Sequence, residues 1–191
     1  MRTVTYGAAC SLDGFITARD GAIDWLKWSP DVSGIMAEYW KGVDAMLFGR
    51  KTWDFAQASG GGGEGEAADR GAFGNVATYL FSRSIKKAPP GVQLVSENAG
   101  EFVRELKRKP GKGICVMSGG NFARSLFEAG VIDEVGLNIH PVLLGEGARL
   151  FQDAGVRVDL ELKECRSLKH GCVYAIYRVK RRAARAGRRA P

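Results

Sequence analysis

Residues 43–57 read VDAMLFGRKTWDFAQ: six nearly all apolar residues, a glycine, then a stretch of helical character. A strand apolar on both faces needs cover on both faces, the situation of a parallel sheet packed between helices. The pattern returns at GICVMSGGNFARSLFEAG (113–130), where an apolar run enters a double glycine and a helical segment follows. It returns in part at VATYLFSRS (76–84), an apolar run ending in hydroxyls and an arginine.

The rest of the chain fits the same alternation. TVTYGAAC (3–10) reads as a buried first strand, and SLDGFITARDGAIDW as a long bent loop marked by Gly14 and Gly21. Pro30 suits the first turn of a helix whose Val32, Ile35, Met36, Tyr39 and Trp40 share one face. The glycine-rich stretch 58–74 lacks the G-K-[ST] ending of a phosphate-binding loop and reads as a mobile surface loop. VQLV is a short strand. Asn98 and Glu101 have capping-box spacing and open a helix with Phe102, Val103 and Leu106 on its buried face. VIDEVGLNIHPVLLG (131–145) begins as a strand and breaks at Pro141. VRVDLELKECRSL and GCVYAIYRVK form a closing antiparallel hairpin around Lys169–Gly171. Alternating β and α followed by β-β predicts a three-layer α/β/α domain over residues 1–180, with a mainly parallel mixed sheet and a C-terminal antiparallel hairpin.

The 191 residues are enough for one such domain. The formal charge of +7 is a property of the C-terminus, since residues 180–191 hold six basic residues and no acid. Without those six the body carries about +1. The end, 181–191, reads as a disordered basic tail, solubilising by default and able to meet nucleic-acid phosphates only non-specifically. No apolar run is long enough to span a bilayer, and the N-terminus lacks the layout of a secretion signal, so a cytoplasmic location is expected. Cys10, Cys115, Cys165 and Cys172 form no C-x-x-C pair and have no histidine at ligand spacing. They read as reduced, mostly buried thiols, and no metal site is expected.

In parallel α/β sheets, ligands bind where strands end and helices begin, because first-turn N–H groups are free and the helix dipole favours anions. Ser118, Gly119, Gly120, Asn121 and Phe122 offer a backbone that a ligand can approach without a Cβ in the way. A tight turn explains the same glycines, and the pattern is not G-x-G-x-x-G. Gly49, Arg50, Lys51 and Thr52 put two cations and a hydroxyl at a helix N-terminus. Cations there oppose the dipole unless an anion neutralises them. Ser82, Arg83 and Ser84 suit a phosphate monoester, or an ordinary turn.

GRKTWD (49–54), SGG (118–120) and AACSLDGFIT (8–17) together resemble the cofactor segments of dihydrofolate reductases. SLFEAGVIDEVGLNIHPVLLGEGARLF (125–151) is more similar to the reductase domain of the bifunctional deaminase-reductases of riboflavin synthesis and their stand-alone relatives. The resemblance runs in one order over residues 1–180. It implies a dihydrofolate reductase-like fold and an NADPH-dependent reductase. It places Ala9 and Ile16 at the nicotinamide through their backbones, and Gly49, Arg50, Lys51 and Thr52 at the cofactor phosphates. Ser82 and Arg83 fall at the adenosine 2′-phosphate, and residues 118–122 at the pyrophosphate. The carboxylate that orients the substrate ring in dihydrofolate reductases has its nearest counterpart in Asp31, with Asp24 close by; Asp31 also suits a helix start. Asp13 is the second catalytic candidate. Trp28 and His140 are candidates to face the substrate, and Trp25 and Trp53 to stack on it or pack in the core.

The expected reaction is hydride transfer from NADPH to a C=N or C=O carbon of a small pterin-, pyrimidine- or flavin-like heterocycle. The other reading is a non-catalytic nucleotide- or nucleic-acid-binding module using the basic tail. A homodimer is expected, because the resembled sister group pairs through a sheet edge and the hairpin supplies long apolar edge-like strands.

Overall fold

The structure is a computed structural model that describes residues 1–58, 76–151 and 155–181. Its chain order is β1 (Val4–Ser11), β2 (Phe15–Thr17), α1 (Pro30–Lys41), β3 (Val43–Gly49), α2 (Arg50–Ala58), β4 (Ala77–Phe81), β5 (Val92–Val95) and α3 (Ala99–Arg108). There follow β6 (Gly113–Met117), α4 (Gly120–Glu128), β7 (Glu134–His140), β8 (Ala148–Arg149), β9 (Leu160–Ser167) and β10 (Val173–Val179). Eight strands form one sheet in the order β5-β4-β3-β6-β1-β7-β10-β9. Every neighbour pair from β5 to β7 is parallel, and β7-β10-β9 is antiparallel.

Alternate residues of the strands feed two cores. Val4, Tyr6, Leu47, Ile114, Val116 and Val135 pack with Val103 and Leu106 of α3 and Ala123 and Leu126 of α4. On the other face Met46, Phe48, Leu80 and Cys115 pack against Tyr39 and Trp40 of α1 and Trp53 of α2. This is the three-layer α/β/α arrangement expected, and both faces of β3 are covered, as its nearly all apolar run requires.

Local signals hold at the helix ends. Ser29 caps α1 by accepting from Val32 N–H, with Pro30 in the first turn. Asn98 caps α3 by accepting from Glu101 N–H at 3.1 Å. Only Val32 of the apolar stripe on α1 is buried; Ile35 and Met36 stay half-exposed. Cys10, Cys115 and Cys172 are buried and Cys165 is exposed, all as free thiols.

The long bent loop expected after β1 is in part a strand. β2 pairs antiparallel with β8 in a second sheet, Phe15 opposite Arg149 and Thr17 opposite Ala148. Gly147 permits this approach: its φ is 140°, and a Cβ there would collide with the Thr17 carbonyl. The glycine-rich stretch falls, but for Ala58, in residues 59–75, outside the described residues. So does the basic tail from 182 onward. Arg181 is described, and its guanidinium meets Asp133 at 3.1 Å.

Candidate active site

The sheet opens at its centre. β1 pairs with β6 only over Val4–Tyr6, whereas it pairs with β7 from Thr5 to Ser11. Beyond Tyr6 no strand among the described residues pairs with the β6-facing edge of β1, and Gly7, Ala8 and Ala9 are half-exposed in the middle of the sheet. A Cβ on Gly7 would meet nothing within 4 Å. Tyr6 closes the floor of the gap. Its buried hydroxyl lies 3.2 Å from the Ser118 carbonyl and 3.1 Å from the Leu150 carbonyl. Burial pushes its phenol pKa up, so it stays protonated.

At the carboxyl ends of β3 and β6 lies a cleft of about 540 Å³, walled by Gly49–Thr52, Ser118–Phe122, Ile16 and Arg149. Here the structure brings together two of the three junctions singled out in the sequence. α2 and α4 both begin at its edge, and Gly119, the N-cap of α4, supplies no side-chain cap. The Gly119 N–H donates instead to Thr52 Oγ1 at 2.9 Å, which joins the first turns of the two helices. Gly49 is glycine for packing: a Cβ there would stand 2.5 Å from Ser118 Oγ and 3.0 Å from Phe122 Cβ. Gly119 is different. Its nearest neighbours to a Cβ would be Thr52 Oγ1 at 3.9 Å and Ile16 Cδ1 at 4.0 Å, so the Cβ would stand in the cleft. Removing it leaves backbone N–H groups open to a diphosphate.

The two cations at the start of α2 are not equivalent. Arg50 Nε donates to both oxygens of Asp54, at 2.8 and 2.6 Å, so the anion expected there is supplied one helical turn on. Lys51 is exposed and has no ion pair among the described residues.

The third junction lines a neighbouring cleft, also about 540 Å³, which shares Phe122 with the first. Because β3 and β4 are adjacent and Gly49 is in register with Phe81, Ser82 and Arg83 lie beside the start of α2. The rings of Phe81 and Phe122 stand 4.7 Å apart between the clefts. Ser82 Oγ is partly engaged, accepting from Ser84 and Ile85 N–H at 3.3 and 3.2 Å. The segment itself is free of acids, yet Glu97, Glu101 and Glu128 line the same cleft, together with Arg104.

The substrate candidates separate. Asp31 accepts from the Ser29 hydroxyl, from Val32 N–H and, with its second oxygen, from Lys169 N–H at 2.8 Å. Those bonds, the Ser29 hydroxyl first, hold its pKa at about 2. Asp13 accepts from Ser11 Oγ at 2.6 Å and from Leu144 and Gly145 N–H, which lowers its pKa also. Both are ionised at neutral pH, and each ties two segments: Asp31 the start of α1 to the β9–β10 turn, Asp13 the β1–β2 turn to the strand break after Pro141. His140 ends β7 and is 2% exposed. Its Nδ1 accepts from Lys27 N–H at 3.1 Å, which puts the proton of the neutral ring on Nε2. Burial, then the Lys27 charge, lowers its pKa. Trp25 meets His140 edge-on, centroids 5.4 Å apart, while Trp28 is 67% exposed and Trp53 packs against Phe48. Arg149 and Tyr6 carry no motif in the sequence that marks them as site residues.

The model of the RibD C-terminal domain family matches residues 2–174. The uncharacterised protein YyaP of Bacillus subtilis (strain 168) is 31% identical over 179 residues, 92% of this chain and 94% of that protein. Among solved structures, a deaminase/5-amino-6-(5-phosphoribosylamino)uracil reductase from Thermotoga maritima superposes with a TM-score of 0.68 at 17% identity. The match covers 94% of this chain and 57% of that one. A dihydrofolate reductase from Enterococcus faecalis, complexed with NADP(H), superposes with a TM-score of 0.60 at 16% identity, over 94% and 97% of the two chains. These likenesses establish a dihydrofolate reductase-like fold.

Proposed function

Since the chain belongs to the RibD C-terminal domain family, a family of reductase type, we propose that it is an NADPH-dependent reductase of a small pterin-, pyrimidine- or flavin-like heterocycle. The observation that carries the reading is a cleft where two helix N-termini converge on glycine backbone, with Ser118 in its wall. The Tyr6 hydroxyl lies 3.2 Å from the Ser118 carbonyl, which sets the edge of β1 beyond Tyr6 beside that cleft. An elongated dinucleotide fits such a course, its diphosphate at Gly119–Phe122 and at Gly49–Thr52, and its nicotinamide beside the backbones of Ala9 and Ile16. Ser82 and Arg83 stand where the adenosine 2′-phosphate would lie.

When bound, NADPH supplies a hydride. The chain's part is position and field. The open edge of β1 offers backbone donors and acceptors to a carboxamide. Asp13, Asp31 and the exposed Trp28 shape the substrate side, and the buried His140 supports it from behind through Lys27 N–H. Neither carboxylate gives up a proton near neutrality, so water is the proton source. The reductase domain spans residues 1–180 and works in the cytoplasm, and the basic residues beyond it serve solubility. The protein works as a homodimer through β9 and β10, where Leu160 and Leu162 are exposed on an edge strand.

A screen of dihydrofolate, riboflavin-pathway pyrimidines and quinonoid pterins, followed by loss of NADPH absorbance, tests the reading. Turnover of one class is the expected result. Tight NADPH binding with no turnover of any would favour a non-catalytic nucleotide-binding module.

A further inference from the structure

The phosphate cleft has a wall that no helix provides. The ribbon β2–β8 lies across it, with Ile16 facing Gly119 and Arg149 lining the side opposite the start of α2. The guanidinium carbon of Arg149 sits 5.0 Å from the centroid of the Phe15 ring, its partner in the ribbon register. Phe15 is buried, so its ring is a fixed platform. Stacking on it restricts the arginine side chain while leaving its five N–H donors unspent. Arg149 has no hydrogen bond or ion pair among the described residues. The ribbon is itself pinned, by Asp13 on Leu144 and Gly145 N–H and by Arg19 on Glu146 at 3.3 Å. Across the cleft, Arg50 is committed to Asp54.

From this we propose that Arg149 is a ligand of the cofactor diphosphate and, with Lys51, supplies the positive charge of the cleft. Asp13 then acts as a positioning residue for the ribbon that carries it. The inference rests on the cofactor reading above. A guanidinium fork matches phosphate oxygens bidentately, and Arg149 would bring one from the ribbon to the cleft that the two helix N-termini also line. A phosphate monoester on the substrate has the same chemistry, but Arg149 shares its cleft with Gly119 and Gly120, where the diphosphate is placed.

Calorimetric titration of the intact chain separates these ideas, using NADPH, ADP-ribose and ribose 5-phosphate as probes. Arg149→Ala removes charge and packing; Arg149→Met keeps an apolar stem over Phe15 and removes only the charge. Both should weaken NADPH and ADP-ribose alike, by about ten- to a hundredfold. Arg149→Lys should fall between, since it keeps the charge without the fork. Unchanged affinity of both charge-removing variants for NADPH and ADP-ribose overturns the proposal. A loss confined to ribose 5-phosphate also overturns it, in favour of a substrate phosphate. If the unmutated chain binds neither NADPH nor ADP-ribose, the cofactor reading fails and this proposal fails with it.

Discussion

The Gly119 N–H donates to Thr52 Oγ1 at 2.9 Å, so one hydrogen bond holds the first turn of α2 against the first turn of α4. Thr52→Val keeps the shape and removes the acceptor. Loss of such a bond costs about 0.5–1.5 kcal/mol. The expected result is an unfolding free energy in urea lower by that amount, together with weaker NADPH binding, because the two phosphate-facing turns lose their tie. Unchanged binding would mean that the spacing of the turns is set elsewhere.

Gly49→Ala should be costly for a different reason. Its Cβ would stand 2.5 Å from Ser118 Oγ and 3.0 Å from Phe122 Cβ, contacts that force the β6–α4 junction away. Overpacking of this kind destabilises by about 1–3 kcal/mol. Ser118→Ala in the same chain removes the nearer clash. Chemical denaturation of the two single variants and the double should therefore be non-additive, with the double more stable than Gly49→Ala alone.

His140 makes stability depend on pH. Its folded pKa lies below the ordinary value of about 6.5 because burial disfavours the imidazolium. The unfolded chain then binds more protons between the two values, so stability is full above about pH 6.5 and declines as pH falls below it. Asp13 and Asp31, whose pKa values are lowered, act in a separate window below about pH 4. Urea midpoints at pH 7.5 and 5.5 should drop for the unmutated chain and drop less for His140→Gln.

Leu162 is 54% exposed on β9, the strand at the end of the sheet. A lysine there would place a charge in the proposed dimer contact. Light scattering at micromolar concentration should give a dimer mass for the unmutated chain and a monomer mass for Leu162→Lys. A monomer mass for both would remove the dimer.

What the sequence made legible is what local chemistry encodes. The nearly all apolar run 43–49 required cover on both faces and has it; Pro30 and Asn98 sit at the starts of the helices they were expected to open. The ribbon β2–β8 was not legible, since strands of three and two residues have no period and their partners lie more than 130 positions apart. The acids near Arg83 escaped notice for the same reason. Glu97 and Glu101 come from the start of α3 and Glu128 from the end of α4, and only the folded sheet sets them beside β4. The Arg50–Asp54 pair was legible, because four residues on a helix is contact distance. It changes which cation is free.

This cleft is proposed to take NADPH in preference to NADH, with Arg83, beside the start of α2, as the group that would meet the 2′-phosphate against the opposing charge of Glu97, Glu101 and Glu128. A charge-assisted bond to that phosphate contributes about 1.5–3 kcal/mol, or roughly ten- to a hundredfold in affinity. The direct measurement is calorimetric titration of NADPH and NADH into the unmutated chain and into Arg83→Ala. NADPH should bind more tightly than NADH by about that factor, and Arg83→Ala should erase the difference by weakening NADPH alone. Equal affinity of the unmutated chain for the two cofactors would contradict it.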